Sequence, residues 1–347
     1  MNEWYHQAGV DSDVVLSTRG RISRNLSGHL YPGSMGIEEE NSVKEKVRDA
    51  FSQAGEGYTY LALEEMPPME KRLLLEQKLI TQDFCLNKDK HLILGDDRNF
   101  SGMINGEDHL RMVSFSGGLA LEDVLGKLMD IDSKLEEIID FNATFDLGYI
   151  GPDLKNLGTA LKMSVMLHLP SLEATGLIDK ALKTILHAGM EITGFSGEKE
   201  QSLGQFYIIS NRNTLGDNEN GIREKLSDIT GQLLTYERMA REDLVKRKMI
   251  ELEDRVFRGE GLLANCRLLS RNEGIELSAA LRLGTVLELN NYSLEKLNGL
   301  LVLGQDSHIK ERLKSRNEDI DSISVDRERA EFFRNYLYIK DTQGGSA

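Results

Sequence analysis

The sequence predicts an α+β region followed by an all-helical region. Two observations carry that division. Short apolar runs with β character cluster in the first two-thirds of the 347 residues, whereas the remainder reads as successive helical repeats. All five prolines, the last of them Pro170, lie in the first half, so no proline interrupts a helix beyond that point.

Strand-like runs occupy 91–95, 102–105, 110–115 and 205–210, with Gly, Asp or Asn near their ends. The run 160–169 alternates, with Leu161, Met163, Val165, Leu167 and Leu169 on one face. Lys162 falls on the opposite face, toward a cleft or solvent. Helical spacing links Leu121, Val124, Leu125, Leu128, Leu135 and Ile138, and similar patterns cover 173–188 and 222–245. Beyond residue 250 the expected helices are 252–257, 261–269, 275–283, 294–303 and 326–337. We place the boundary between the regions near 242–255, giving a catalytic unit over 11–245 and a helical unit over 250–340.

Composition narrows the function. At net charge −15 the chain lacks the basic face of a general nucleic-acid binder. The acidic balance serves solubility, or suits a basic partner such as an Arg-rich protein. Two cysteines, Cys85 and Cys266, are too few for a disulfide framework or a Cys-based zinc site, and no His-Glu-x-x-His pair occurs, so no metal-ligand set is assigned. No apolar run approaches the roughly 18 residues that span a bilayer. The polar start, Met1-Asn2-Glu3-Trp4-Tyr5-His6, has no apolar signal core, and a cytoplasmic protein is expected. Neither a Gly-x-x-x-x-Gly-Lys-Ser/Thr loop nor the His-Arg-Asp and Asp-Phe-Gly pair occurs. A nucleotide would have to be held by another device.

Four segments supply candidates. Ser17-Thr18-Arg19-Gly20-Arg21, if extended, points Arg19 and Arg21 to one side, where two guanidinium forks clamp a polyphosphate. Read alone, such an arginine cluster is more often a solvated face. Asn105-Gly106-Glu107-Asp108-His109-Leu110-Arg111 brings acid, imidazole and guanidinium together; the alternative is a polar turn between strands. Asn156-Leu157-Gly158-Thr159 leads into Lys162-Met163-Ser164-Val165-Met166, where Lys162 is either a cleft lysine or a surface one. Thr193-Gly194-Phe195-Ser196-Gly197-Glu198 reads as a two-glycine loop able to close and deliver Glu198, or as an acidic hairpin.

In this order the four segments resemble the landmarks of the phosphagen (guanidino) kinases, and the likeness runs from about residue 11 to 337. The first resembles the Ser-Thr-Arg-x-Arg strand that binds ATP phosphates. The second resembles Asn-Glu-Glu-Asp-His-x-Arg, which places Glu107 on the substrate guanidinium and Arg111 on phosphate. The third resembles Cys-Pro-Thr-Asn-Leu-Gly-Thr and the arginine beyond it. The fourth resembles the flexible loop Arg-Gly-x-x-Gly-Glu, with Glu198 as second substrate carboxylate. No long helical region precedes the first strand, and Glu253-Asp254-Arg255-Val256-Phe257-Arg258 and Arg282-Leu283-Gly284 are similar to a C-terminal extension. Both features favour the bacterial McsB-type protein arginine kinases.

The resemblance implies a mostly antiparallel sheet flanked by helices, then a helical domain for dimerisation or regulation. It implies ATP and Mg²⁺, arginine-containing protein substrates, a homodimer, an McsA-like activator and the ClpC–ClpP protease in stress-response quality control. Its site would comprise Glu107, Glu198 and Asp153 for catalysis. For the nucleotide it implies Ser17, Thr18, Arg19, Arg21, Lys78, Arg111, Lys162, Met163, Ser164, Val165, Met166, Thr193, Gly194 and Gly197. Departures stand at Gly106 (family Glu), Asp153 (Cys), Lys162 and Thr193 (Arg), Lys78 (His) and Val325 (first Arg of Arg-Asp-x-x-Arg-Ala). They leave three readings: a protein arginine kinase, a weakly active homologue that regulates by binding, and a kinase of a small guanidino compound.

Overall fold

A computed structural model describes residues 3–87, 90–195 and 202–338. Its centre is an eight-stranded antiparallel sheet. In chain order the first part holds β1 (Val15–Arg24), α1 (Ile37–Ala54), β2 (Tyr58–Ala62), α2 (Pro68–Glu76) and α3 (Gln82–Leu86). Next come β3 (His91–Gly95), β4 (Phe100–Ile104), β5 (Leu110–Gly117), α4 (Leu121–Glu136) and the small hairpin β6 (Ala143–Thr144) and β7 (Gly148–Tyr149). The sheet is completed by β8 (Leu161–His168), α5 (Pro170–Ala174), α6 (Ile178–His187), β9 (Met190–Gly194) and β10 (Phe206–Asn211). The strand order is β2-β3-β4-β5-β1-β8-β10-β9, which sets β1 near the middle.

One face of the sheet is covered by α1, α4, α6 and the first half of a long helix, α7 (Glu219–Asn265). Ile22, Met112, Met163, Val165, Leu167 and Ile209 point into this layer, because strand side chains alternate between faces. Gly20 lets α4 lie close to β1: a Cβ there would stand 2.6 Å from Leu128 Cδ1. Near the end of β1, Arg24 is buried against Asp132 of α4, with Nη2 2.5 Å from Oδ2, and its guanidinium lies 3.4 Å from the centre of the Tyr149 ring.

The C-terminal region is helical, as expected. It continues α7 and adds α8 (Arg271–Val286), α9 (Leu294–Leu303), α10 (Asp306–Ser315) and α11 (Ser322–Tyr338), closed around Leu263, Leu281, Leu300, Ile309 and Phe333. The separate helices read at 222–245, 252–257 and 261–269 are instead one helix as far as Asn265. No proline stops it, and only Lys248 leaves helical dihedrals. The pattern at 173–188 divides the other way, into α5 and α6, at Gly176 with φ +70°.

The helical region docks on the sheet's second face. Arg282 of α8, with no exposed surface, donates to the backbone carbonyls of Ser12 and Asp13 and to His168 Nδ1 at 3.1 Å. Arg238 and Arg241 of α7 pair with Asp11 and Asp13.

Candidate active site

The second face of the sheet and the helical region enclose a cleft of about 710 Å³. Alternation along β1 brings Ser17, Arg19 and Arg21 into it. Thr18 goes the other way, contrary to its expected role at a nucleotide. Its hydroxyl donates to Gly118 O at 2.7 Å and accepts from Ala120 N at 3.0 Å, fixing the turn between β5 and α4.

The same alternation corrects β8. Lys162, Ser164 and Met166 line the cleft, while Met163 and Val165 are fully buried in the helix-covered core, so their side chains cannot reach a nucleotide. A run of consecutive residues in a motif maps to two faces of a strand. Arg19 lies opposite Ser164 and Phe115, and Arg21 opposite Lys162 and Val113. Thr193 faces the cleft from β9. Thr193 and Gly194 were expected in a loop, but both belong to β9, paired with Ile208 and Tyr207. Gly197 and Glu198 lie outside the described residues.

The charges are unequally matched. Arg19 makes no hydrogen bond or ion pair with any described residue; its guanidinium rests 5.5 Å from the Phe115 ring centre. Burial, then the neighbouring Arg21 and Arg111, push its pKa down to about 9. Arg21 is pushed down to about 10 by burial and Arg111, against the pull of Asp108, Glu107 and Asp153. It donates one hydrogen bond, to Asn156 Oδ1 at 3.1 Å. Cations gathered without ion-pair partners among the described residues repel one another, and an anion placed between them relieves that repulsion. Lys162 is different, because its ammonium is 2.6 Å from Glu191 of β9.

Arg111 is held by Asp108 at 3.1 Å and by Glu107, and these contacts raise its pKa although burial opposes them. Asp108 is itself fixed by Asn25 at 3.1 Å and Asn156 at 3.4 Å, so Asn156 ties the second motif to Arg21. These positioning contacts have no local sequence signal, although Asp108 and Asn156 lie in two of the four segments. His109 is structural: Nδ1 accepts from Leu26 N at 2.9 Å, Nε2 bonds to Leu30 O, and burial lowers its pKa, keeping it neutral. Glu107, half-exposed, borders a smaller cavity of about 120 Å³ with Thr81, Asp83, Phe84 and Gly106.

Asp153 is exposed and caps a short turn by accepting from Lys155 N at 3.0 Å. Gly158 follows with φ +84°, and a Cβ there would stand 2.4 Å from Thr214 O. Lys78, with φ +66°, lines the cleft, its pKa lowered by burial and by Arg19 and Arg271.

This arrangement and the sequence together define the class: the chain belongs to the ATP:guanido phosphotransferase family, whose C-terminal catalytic domain model matches residues 40–240. Residues 249–346 match the model of the protein-arginine kinase McsB C-terminal domain. Among similar curated proteins, the protein-arginine kinase of Caldanaerobacter subterraneus is 34% identical over 95% of this chain and 99% of its own. That of Bacillus subtilis is 33% identical over 95% and 93%. The chain therefore falls within the protein-arginine kinase branch. Among solved structures, a lombricine kinase superposes with TM-score 0.59 at 23% identity, covering 67% of this chain and 68% of that one. The duplicated taurocyamine kinase of Schistosoma mansoni gives 0.60 at 23%, covering 72% of this chain and 38% of that one. Both support the fold.

Proposed function

We propose that this protein transfers the γ-phosphate of ATP to arginine side chains of protein substrates. The observation that carries the reading is the pair Arg19 and Arg21 on the cleft floor, neither of them ion-paired to a described residue, with Glu107 within electrostatic reach of Arg21. In the reaction a guanidinium nitrogen gives up a proton, attacks the γ-phosphorus, and the bond to the bridging oxygen breaks to release ADP. Glu107 orients the acceptor and accepts the proton, and Glu198 is the proposed second carboxylate. Arg19, Arg21 and Arg111 balance charge on the phosphates, with Lys162 and Lys78 beside them. Asp153, near Arg21, attracts the acceptor cation. Ser17, Ser164, Met166 and Thr193 shape the cleft.

Among the described residues no group of three or more His, Cys, Asp or Glu side chains could hold a metal ion. Mg²⁺ would therefore enter on the nucleotide's phosphates, as it commonly does, and there neutralise charge. No described helix is long and apolar enough to cross a membrane. A cytoplasmic location, a homodimer, an McsA-like activator, the ClpC–ClpP protease and a role in bacterial stress response belong to the same proposal.

The test is incubation with Mg-ATP and an Arg-rich protein or, separately, free arginine. Acid-labile, base-stable phosphate on the protein is expected. Phosphate on free arginine alone would assign a small-molecule kinase. Nucleotide binding without transfer would assign a binding regulator.

A further inference from the structure

The cleft has a second wall that the four motifs do not contain. Arg271, Asn298, Leu301, Val302, Gln305 and Asp306, all from the helical region, face the sheet across it. Building on the phosphotransfer reading, we propose that Arg271 is a nucleotide-binding residue, meeting the phosphate nearest the base, and that the helical region thereby forms part of the nucleotide site.

The direction of the cleft gives the placement. Arg111 pairs in register with Ser23, and Arg21 and then Arg19 follow along β1 away from it. Glu107 and Arg111, which border the smaller cavity past Arg21, therefore mark the acceptor end. Toward the other end the sheet offers Leu16, Phe115, Met166 and Ile208, and the helical region offers Leu301 and Val302. A flat apolar base fits between such walls. The phosphate next to the base then falls between Arg19 and the wall that carries Arg271.

Arg271 has the free valence this requires. Its Nε donates to Gln305 Oε1 at 2.6 Å, and Gln305 is anchored in turn by donating to Leu301 O at 2.7 Å. The acceptor is a neutral amide, and Arg271 has no ion pair with any described residue. The two carboxylates lining this end are already engaged. Glu76 accepts from Ser307 N at 2.8 Å and from the His308 ring at 2.8 Å, while Asp306 accepts from Arg329. Lys78 lies within electrostatic reach of both Arg271 and Arg19. The terminal nitrogens of Arg271 thus join a row of cations on opposite walls, and neither Arg271 nor Arg19 is ion-paired to a described residue, so a phosphate answers them together.

Calorimetric titration of the full chain with Mg-ADP and with AMP tests this, comparing wild type, Arg271→Ala, Arg271→Lys and Arg19→Ala. Arg271→Ala should weaken both ligands by about tenfold, as loss of a charge-assisted contact does. Arg271→Lys should fall between it and wild type. Adenosine binding should be indifferent to the change. Should Arg271→Ala melt early, Arg271→Gln, which keeps a donor for Gln305, gives the same reading. Wild-type affinity in the Arg271 variants, with Arg19→Ala weakened, would overturn the proposal and leave the phosphotransfer reading standing. No nucleotide binding by wild type would overturn both.

Discussion

The two faces of the central sheet treat arginine in opposite ways. On the helix-covered face, Arg24 is sealed from solvent and fully provided for. Asp132 takes Nε and Nη2, the carbonyls of Ser23 and Thr159 take Nη1, and Tyr149 stacks beneath. On the cleft face of the same strand, Arg19 has a ring beside it and no acceptor among the described residues. A buried cation with a complete set of partners contributes to the fold, whereas a partly buried one without them is available to a ligand. The helical region repeats the first pattern: Arg329 donates to Gly304 O and Leu269 O at 2.9 Å and pairs with Asp326 and Asp306.

That contrast can be broken by substitution. The largest expected effect is at the acceptor: Glu107→Gln should lower the single-turnover rate by about 10³ or more, through loss of the base and its orientation, with Mg-ADP affinity unchanged. Near-normal transfer would remove Glu107 from the mechanism. Next is Arg24→Met, which strands Asp132 in the core and should cost about 3–5 kcal/mol in urea unfolding, with nucleotide binding kept in whatever remains folded. Arg19→Met should do the reverse: stability unchanged or raised by about 1 kcal/mol, with Mg-ADP affinity down tenfold or more by calorimetry. Comparable destabilisation by the two changes would erase the distinction between the faces. The smallest effect sharpens it. Thr193→Arg with Lys162→Arg should raise the transfer rate several-fold over wild type and by more than either alone, since both act on one charge distribution. Lys162→Arg alone should gain little, because Glu191 remains to bind the new side chain.

How far the sequence could be read follows from where each signal lives. β3, β8, α4 and α9 were legible because apolar spacing along one segment reports one buried face. Helices α1 to α3 and α10 were not read; α10 in particular buries only Ser307, Ile309 and Leu313 and has no apolar stripe to count. In the site, Arg19 and Arg21 could be assigned to one face of a strand because their motif is local. Thr18, Met163 and Val165 were misplaced because a motif is written residue by residue while a strand divides it between two faces. Arg271 and Gln305 had no local signal, since they reach the cleft only after the chain has folded back over the sheet.

The length of α7 bears on how the molecule melts. Its 47 residues, about 70 Å at the usual rise, place Ile222, Leu226 and Leu233 in the sheet's core and Leu263 in the helical one. Leu244 and Leu252, on either side of Lys248, pack together against Leu283. Neither core can be lost without exposing apolar side chains on the same rod, and Arg282 fastens the two again at the carbonyls of Ser12 and Asp13. Calorimetric heating should therefore give a single endotherm, with its van't Hoff and measured enthalpies in agreement for the whole chain. Two resolved peaks would mean that the bend at Lys248 lets the halves melt independently.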